Sequence, residues 1–278
     1  MAEKVITNPF SDTSDYIYHY TTIDSLIKYI LPQKRLRFSR LDSTNDPEEK
    51  RWHIPQCCND TGMDEDVFIK EAERNAYISV LIALHSRILC FSQDNNGHNQ
   101  FSDLYMGKGF ARPRMWAQYS QNHTGACLVF NKQKVVNWFN EKYKDAIHFS
   151  GNIHYESIIQ LISEMPYAQI LLASELSLSN EAIAADRINK YHDIYFFSKH
   201  MDWAEENEFR LMVKPHKDTD IFLDIDGLLE CIILGTRVEN CLVEPIRILS
   251  NSFINKPDMA QFWYNGNNYT FVPIRGDE

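Results

Sequence analysis

Short runs in which apolar and polar residues alternate recur along the chain and predict β-strands. The period of two is clearest at residues 36–39, with Leu36 and Phe38, and at residues 206–214, with Phe209, Leu211 and Val213. Runs of similar length and composition predict further strands at 17–20, 88–92, 126–130, 151–155, 221–224, 230–234, 261–264 and 270–274.

Between these strands, apolar residues recur at three- and four-residue spacing and predict amphipathic helices. The longest helix should cover 64–87, where Val, Phe, Ala, Ile and Leu form one apolar stripe. A helix at 22–31 should begin at a Thr-Thr-Ile-Asp turn and end at Pro32. Further helices are expected at 113–119, 132–143, 157–174, 180–200 and 243–250.

The order of these elements predicts an α+β fold. Strands and helices do not follow a strict βαβ rhythm, so the central sheet should be mixed and largely antiparallel, with helical insertions. No repeat, low-complexity tract or linker divides the chain. We therefore expect an N-terminal extension at 1–15 and a single domain at 16–278. The polar stretch at 93–112 is long for a connection without secondary structure, which is typical of functional or mobile loops.

Charge and cysteine content limit the cellular compartments and the classes of binding partner to be expected. Lys and Arg number 28 and Asp and Glu number 38, a net charge of −10 that disfavours a general nucleic-acid-binding surface. The one compact basic patch is Lys34-Arg35-Leu36-Arg37 with Arg40. Six cysteines without a C-x-x-C pair favour reduced core thiols. Because no signal sequence and no apolar run of ~20 residues is present, we expect a soluble, cytoplasmic protein without a membrane partner.

The common nucleotide, metal and hydrolase signatures are missing. The chain has no G-x-G-x-x-G, no P-loop, no H-E-x-x-H and no G-x-S-x-G. His148 and His154 are six residues apart, a spacing that does not favour a metal site. We expect no bound metal.

Two polar clusters in the N-terminal part could contribute to a site. In Tyr18-His19-Tyr20-Thr21, His19 should face away from both tyrosines and could donate a hydrogen bond to a ligand hydroxyl, or it could be a half-buried histidine bonded to backbone. The turn Asn45-Asp46-Pro47-Glu48 is typical of a helix N-terminus and could also shape the rim of a pocket.

Two further clusters lie in the middle and late parts of the chain. Trp116 and Tyr119 are three residues apart and share a helix face, which suits either a core or a ligand stack. On the strand predicted at 206–214, Glu206, Glu208 and Arg210 should share one face. Two carboxylates beside a guanidinium suit catalysis, because the arginine can hold one carboxylate ionised, but they also suit a solvated edge strand with a surface ion pair.

In this order, the clusters resemble the family known as DUF2971, domain of unknown function 2971. The resemblance runs from about residue 16 to residue 236. It rests on Tyr18-His19-Tyr20-Thr21, Asn45-Asp46-Pro47-Glu48, Cys90-Phe91-Ser92, Met115-Trp116 with Tyr119 and Gly125, Lys199 with Trp203, Glu206, Glu208 and Arg210, and Ile232-Ile233-Leu234-Gly235. The chain departs from the family pattern at Glu49, which follows Glu48. In the family, an aromatic or aliphatic residue often precedes the acid of this second motif.

A weaker resemblance, to ADP-ribosyltransferases of the H-Y-E type, implies an activity and a fold of that kind. His19, Tyr119 and Glu208 occur in the order of that triad, and Glu206-Asn207-Glu208 is similar to an E-x-E strand. The resemblance implies that Glu208 stabilises the sugar cation formed when NAD loses nicotinamide, that Tyr119 stacks on nicotinamide and that His19 holds a ribose. Substrate contacts would come from Tyr20, Thr21, Asn45, Asp46, Trp116, Glu206 and Arg210.

Three functional hypotheses follow. The first is an NAD-consuming ADP-ribosyltransferase or NAD glycohydrolase, a toxin or phage-defence effector that uses NAD as substrate and modifies a macromolecular acceptor. The second is a non-catalytic module that binds a nucleotide or a protein partner. The third is a metal-dependent hydrolase or nuclease built on Asp46, Glu206 and Glu208. The sequence leaves homo-oligomer formation open.

Overall fold

The computed structural model describes residues 15–46, 49, 65–95, 107–157, 177–217, 219–264 and 269–274. By their internal contacts, the residues group into two compact units, each assembled from separate stretches of chain. Unit 1 comprises 1–36, 91–141 and 222–278, and unit 2 comprises 37–90 and 142–221. The expectation of a single domain over 16–278 stays a prediction.

Unit 1 holds most of the strands. Its strands are β1 (Tyr16–Thr21), β2 (Arg35–Arg37), the C-terminal part of β4 (Arg87–Gln93), β5 (Ala126–Asn131), β10 (Phe222–Asp224), β11 (Leu229–Leu234), β12 (Asp258–Tyr264) and β13 (Tyr269–Pro273). Its helices are α1 (Ile23–Ser25), α2 (Leu31–Gln33), α4 (Pro113–Tyr119), α5 (Lys132–Lys142) and α7 (Asn240–Ser250).

The sheet of unit 1 has the order β13-β12-β11-β5-β1-β4. Strand β1 lies antiparallel to β5, with His19 opposite Leu128, and antiparallel to the end of β4. Strands β5 and β11 are antiparallel, β11 and β12 are parallel, and β12 and β13 form an antiparallel hairpin. The sheet is therefore mixed and mostly antiparallel, which confirms the predicted fold class.

One face of this sheet carries an aromatic core. Because side chains alternate along a strand, Tyr16, Tyr18 and Tyr20 all point to this face. They pack there with Phe110, Met115, Trp116, Cys127, Val129, Cys231, Ile233 and Phe262. Cys127 and Cys231 thus serve as small core residues, as predicted, whereas Cys241 is exposed on α7.

Unit 2 combines helices with shorter strands. Its elements are β3 (Ser39–Arg40), α3 (Glu65–His85), the first part of β4, β6 (Ile147–Asn152), β7 (His154–Glu156), α6 (Asn180–Phe196), β8 (Ser198–His200) and β9 (Glu208–Lys214). Strands β6 and β9 are antiparallel, and β7 and β8 are parallel. Helices α3 and α6 contribute to a shared core that contains Ile78, Ile82, Ile183, Ile188 and Phe196.

The first predicted helix, at 22–31, differs from the structure in its interior and its end. Thr22 caps it as expected, accepting a hydrogen bond from the Ser25 amide at 3.1 Å. A π-helical turn follows over Leu26–Ile30, and the helix then runs through Pro32 to Gln33. The wider turn accommodates a residue without an amide hydrogen, so proline does not end the helix here. Lys34, with φ of 51°, ends it instead.

The strand predicted at 36–39 is two short strands, β2 and β3, separated at Phe38. The region around 147–200 contains further differences. The strand predicted at 151–155 is two strands, β6 and β7, because β6 pairs with β9 while β7 pairs with β8. The helix predicted at 180–200 stops at Phe196, where the chain enters β8. The helix predicted at 157–174 lies outside the described residues, as does most of the extension at 1–15. Within the described ranges, no helix is long and apolar enough to cross a membrane.

The chain requires glycine at the start of β5. A Cβ on Gly125 would overlap the carbonyl oxygen of Thr21 and would lie 2.9 Å from Ser120 Oγ. The carbonyl oxygen belongs to the backbone at the end of β1, so it cannot rotate away. Close approach of these two strand ends therefore depends on the missing side chain.

We predict that Gly125→Ala lowers the free energy of unfolding by about 1–3 kcal/mol, the usual cost of overpacking. Gly151→Ala is the matched control, because its Cβ would meet only the Phe197 ring at 3.4 Å, an ordinary contact. Urea unfolding of both variants measures the difference. Equal stability of Gly125→Ala and the wild type would contradict the packing described at β5.

Candidate functional site

The residues predicted to form one site are distributed over both units. His19, Tyr20, Thr21, Trp116 and Tyr119 belong to unit 1. Asn45, Asp46, Glu206, Glu208 and Arg210 belong to unit 2. Each group is described within its own unit.

In unit 1, His19 points away from the aromatic core. It stands opposite Leu128 in the sheet, and its partly buried ring meets the Phe91 ring edge-on, with 5.8 Å between centroids. The expected alternation within β1 is therefore confirmed, since Tyr18 and Tyr20 lie on the other face.

The middle aromatic motif belongs to the core. Tyr20 meets Trp116 edge-on at 5.2 Å, and the Tyr20 hydroxyl donates a 2.8 Å hydrogen bond to the Gly109 carbonyl. The fully buried Trp116 donates from Nε1 to the Phe110 carbonyl at 2.7 Å. Tyr119 is partly exposed and packs against this same cluster. His19 and Tyr119 thus lie on opposite faces of β1, an arrangement that does not favour one cleft shared by both.

Thr21 ends β1 and is buried, so its side chain adds little surface to a ligand site. Its Oγ1 lies 3.5 Å from the Thr22 carbonyl oxygen. In unit 2, Asn45 is exposed and Asp46 is buried. Pro47 and Glu48, which complete that motif, lie outside the described residues.

The late motif does not form one continuous strand. Glu206 ends a 3-10 helix over Met201–Glu206, and β9 begins at Glu208. Asn207 between them has φ of 42°, a left-handed conformation that asparagine tolerates better than most residues. This turn interrupts the alternation expected from residue 206, so Glu206 and Glu208 are brought together by a shared partner and not by strand geometry.

That shared partner is Lys199 of β8. Its Nζ lies 2.8 Å from Glu206 Oε2 and 3.4 Å from Glu208 Oε2. Its ammonium group also stands over the Trp203 ring, 4.6 Å from the centroid. Lys199 therefore connects β8, the 3-10 helix and the start of β9.

Arg210 binds Glu208 through two hydrogen bonds. Nε donates to Oε1 at 2.7 Å and Nη2 donates to Oε2 at 3.1 Å, the paired geometry that a guanidinium favours. Arg210 Nη1 donates to the Phe196 carbonyl at 2.8 Å, and Nη2 lies 2.6 Å from Glu49 Oε1. We call Lys199, Glu206, Glu208, Arg210 and Glu49 the ion cluster.

Every side chain of the ion cluster is at most 5 % exposed. Burial opposes ionisation of Glu208, but the charges of Arg210 and Lys199 outweigh it and lower the pKa of Glu208 to about 2. Burial likewise disfavours the charged form of Lys199, but the charges of Glu208, Glu49 and Glu206 raise its pKa. Burial, followed by the charge of Glu208, raises the pKa of the neighbouring Cys90 thiol.

This geometry favours a structural role for Glu208. Both of its oxygens are bonded to cations, whereas a carboxylate that stabilises a sugar cation must face the substrate. The motif is not the solvated edge strand considered from the sequence, because residues 208–213 are all buried. A catalytic role for Glu206 and Glu208 stays a prediction. Within the described part of the chain, no group of three or more His, Cys, Asp or Glu side chains could hold a metal ion.

A groove that the sequence did not indicate lies in unit 2. It has a volume of about 590 Å³ and runs along β6 beside α6. Its walls include Lys144, Asp145, His148, Phe149, Lys214 and His216. Of these, only His148 attracted attention from the sequence, in a histidine pair with His154 that did not favour a metal site.

Because of the ion cluster, we expect the free energy of unfolding to depend on pH. The pKa of Glu208 falls from its ordinary 4.5 to about 2 on folding, so its charge stabilises the fold above about pH 4.5, and this contribution is lost as the pH falls towards 2. We expect Glu208→Gln to lower the free energy of unfolding by about 3 kcal/mol at neutral pH, because it leaves buried cations without their partner. Urea unfolding should show this difference shrinking as the pH falls from about 5 to 2.

Glu205→Gln is the matched control, since Glu205 is exposed in the same segment. Its stability should differ little from wild type across this pH range. A Glu208→Gln protein as stable as wild type at neutral pH would contradict the structural role of the ion cluster.

Comparison with known proteins gives a match that includes the aromatic motif at Trp116 and Tyr119 and the charged motif at 206–210. Residues 115–211 match the family model described as "Protein of unknown function (DUF2971)". Neither a curated protein nor a solved structure matches the chain. The matched segment contains Trp116, Tyr119, Glu206, Glu208 and Arg210. The resemblance to DUF2971 is thereby confirmed over residues 115–211.

Proposed function

We propose that this protein is a binding module whose ligand is an anionic nucleotide, held in the groove of unit 2. The observation that carries the proposal is the concentration of basic side chains along this groove. Lys144, Lys214, His148 and His216 line it, and Asp145 is the only acidic residue among its lining residues. In a chain with a net charge of −10, such a local excess of basic groups needs an explanation.

The size of the groove suits a small ligand. A volume of about 590 Å³ lies within the ~300–1,000 Å³ typical of ligand pockets. One wall is the strand β6, which pairs with β9 so that Ile147 stands opposite Lys214. The other includes Ala185 and Asn189 of α6. Regular elements therefore form part of both walls, and Lys144, Asp145 and His216 lie in the turns before β6 and after β9.

The two imidazoles of the groove are held by the backbone. His148 Nδ1 lies 2.9 Å from the Ala146 carbonyl oxygen, and His216 Nε2 lies 2.9 Å from the Asp145 carbonyl oxygen. A carbonyl oxygen only accepts, so those nitrogens carry the hydrogens.

A flat aromatic surface adjoins the basic groups. Phe149 lines the groove and is stacked on His192 of α6, with 3.8 Å between ring centroids and 3° between planes. This contact fixes the Phe149 ring and joins β6 to α6. A phosphate near the lysines and an apolar surface beside them match the two halves of a nucleotide.

The ion cluster supports binding over catalysis. Its carboxylates neutralise Lys199 and Arg210 inside unit 2, so they are not offered to a ligand. The NAD-consuming transferase or glycohydrolase and the metal-dependent hydrolase inferred from the sequence both stay predictions, as do a toxin or phage-defence role and a macromolecular acceptor.

Calorimetric titration of the full-length protein with ATP tests the proposal. We expect ATP to bind and its affinity to fall as the salt concentration is raised. Lys144→Gln and Lys214→Gln should each lower the affinity for ATP about tenfold, which corresponds to the loss of about 1.4 kcal/mol expected for one charged hydrogen bond. Lys142→Gln is the matched control, because Lys142 is exposed nearby but does not line the groove. Absence of ATP binding, or equal losses in all three variants, would overturn the proposal.

A second titration, with NAD and detection of free nicotinamide, distinguishes binding from turnover. The binding module should bind NAD without releasing nicotinamide. Release that is abolished in a folded Glu208→Gln protein would instead support the NAD-consuming enzyme and exclude a purely binding role.

A further inference from the structure

Strand β13 forms an edge of the sheet in unit 1. Among the described residues it pairs with β12 alone, as the second strand of the β12–β13 hairpin. The outer side of an edge strand presents unpaired main-chain N–H and C=O groups, which form a template for a further strand. The outer side of β13 is therefore a surface at which another chain can pair.

One hydrogen bond shows which main-chain groups of β13 point outward. Just beyond the strand, the Ile274 amide donates to the Met259 carbonyl at 2.9 Å. In an antiparallel pair, residues that exchange hydrogen bonds alternate with residues that do not. The main-chain groups of every second residue of β13 therefore point away from β12, namely those of residues 269, 271 and 273.

Pro273 agrees with this alternation. It stands opposite Ala260 at a position that exchanges no hydrogen bond with β12, so its missing amide hydrogen does not weaken the hairpin. On the outer side, Pro273 offers only an acceptor, whereas Tyr269 and Phe271 each offer an N–H and a C=O. An identical strand that runs in the opposite direction would place the Tyr269 donor opposite the Pro273 acceptor.

The hairpin segment carries no charge. Residues 259–274 contain no Asp, Glu, Lys, Arg or His, in a chain whose net charge is −10. Edge strands that avoid pairing commonly carry charged side chains, especially lysine. Two copies of this segment can approach each other without like-charge repulsion between them. This neutrality favours a second copy of the chain as the occupant of the edge.

Apolar side chains are exposed on one face of the hairpin. Trp263 and Val272 are each 44 % exposed. Val272 stands opposite Gln261, which is two residues from Trp263 along β12, so both exposed side chains lie on the same face of the sheet. A strand added beyond β13 would place new side chains beside Val272 and cover part of this surface.

We propose that β13 pairs antiparallel with β13 of a second copy of this chain. With Phe271 opposite Phe271 of the second copy, the two strands overlap along their full length. The main chains of these two residues exchange hydrogen bonds in both directions, and each Tyr269 amide donates to the Pro273 carbonyl of the other copy. The pairing has twofold symmetry and uses both edges, so the assembly closes at two chains. It involves unit 1 and does not depend on the groove in unit 2.

Sedimentation velocity of the full-length protein, from micromolar to millimolar concentration, tests the pairing. We expect the mass to rise from that of one chain to that of two, because a pair of five-residue strands is a small interface that dissociates on dilution. Val272→Lys should raise the dissociation constant of the dimer about tenfold, since the two new lysines are diagonal neighbours across the twofold axis. Ile248→Lys is the matched control, because Ile248 is exposed on α7, outside the hairpin.

A charge exchange at residue 272 tests whether this position lies in the interface. Val272→Glu alone should weaken the dimer as Val272→Lys does. An equimolar mixture of the two variants should restore it, because opposite charges then meet. This recovery also shows that both variants are folded.

Hydrogen exchange, followed by nuclear magnetic resonance, identifies the strand that pairs. Exchange of the outward amide of residue 271 should slow as the wild-type concentration rises. The amide of residue 272 faces β12 and should be equally protected at every concentration. A single-chain mass throughout, an unchanged dimer in Val272→Lys, equal weakening in Ile248→Lys, no recovery in the mixture, or exchange at residue 271 that ignores concentration would each overturn the proposal.

Discussion

Arg210 is the point at which the chain segments of unit 2 meet. Its guanidinium binds Glu208 of its own strand, the carbonyl of Phe196 at the end of α6, and Glu49. Lys199 of β8 shares Glu208 with it and adds Glu206. Three carboxylates and two cations buried together are stable only if every charge keeps its partner. The strands and helices that carry them are thereby held in one arrangement.

The pairing of these buried charges changes the interpretation of Glu206, Glu208 and Arg210. Read along the chain, two acids and an arginine around a strand suggest catalysis, because neighbouring carboxylates often have unusual pKa values at active sites. In the fold, the pKa of Glu208 is indeed shifted, but burial acts against its charge and the two cations reverse that effect. A carboxylate stabilised in this way stays ionised and remains with its partners. The groove along β6 is lined by other basic side chains of unit 2, namely Lys144, His148, Lys214 and His216.

The turn before β5 in unit 1 is held by its backbone. Gln121, Asn122 and His123 have positive φ there, a conformation that asparagine and histidine tolerate better than most residues. The Asn122 and His123 amides donate to carbonyl oxygens of α4, and the His123 carbonyl oxygen accepts from the Arg237 amide. The polar groups of this turn therefore connect α4 to the segment after β11 through main-chain atoms, whereas the ion cluster connects its segments through charged side chains.

The sequence by itself determined the fold class and most of the elements. Periods of two and of about 3.6 residues are local properties, so the strand at β5, the helix at α4 and a mixed, mostly antiparallel sheet could all be predicted. It also showed the resemblance to DUF2971, which the family model matches over residues 115–211 of the 16–236 expected. Only the tertiary structure decided which charges are buried together, that Glu206 lies outside the strand, and that Lys144 and Lys214 line one groove. Which charged side chains are buried and paired depends on segments that are distant along the chain, as Glu49 and Arg210 are. A local sequence pattern does not show which distant segments come into contact.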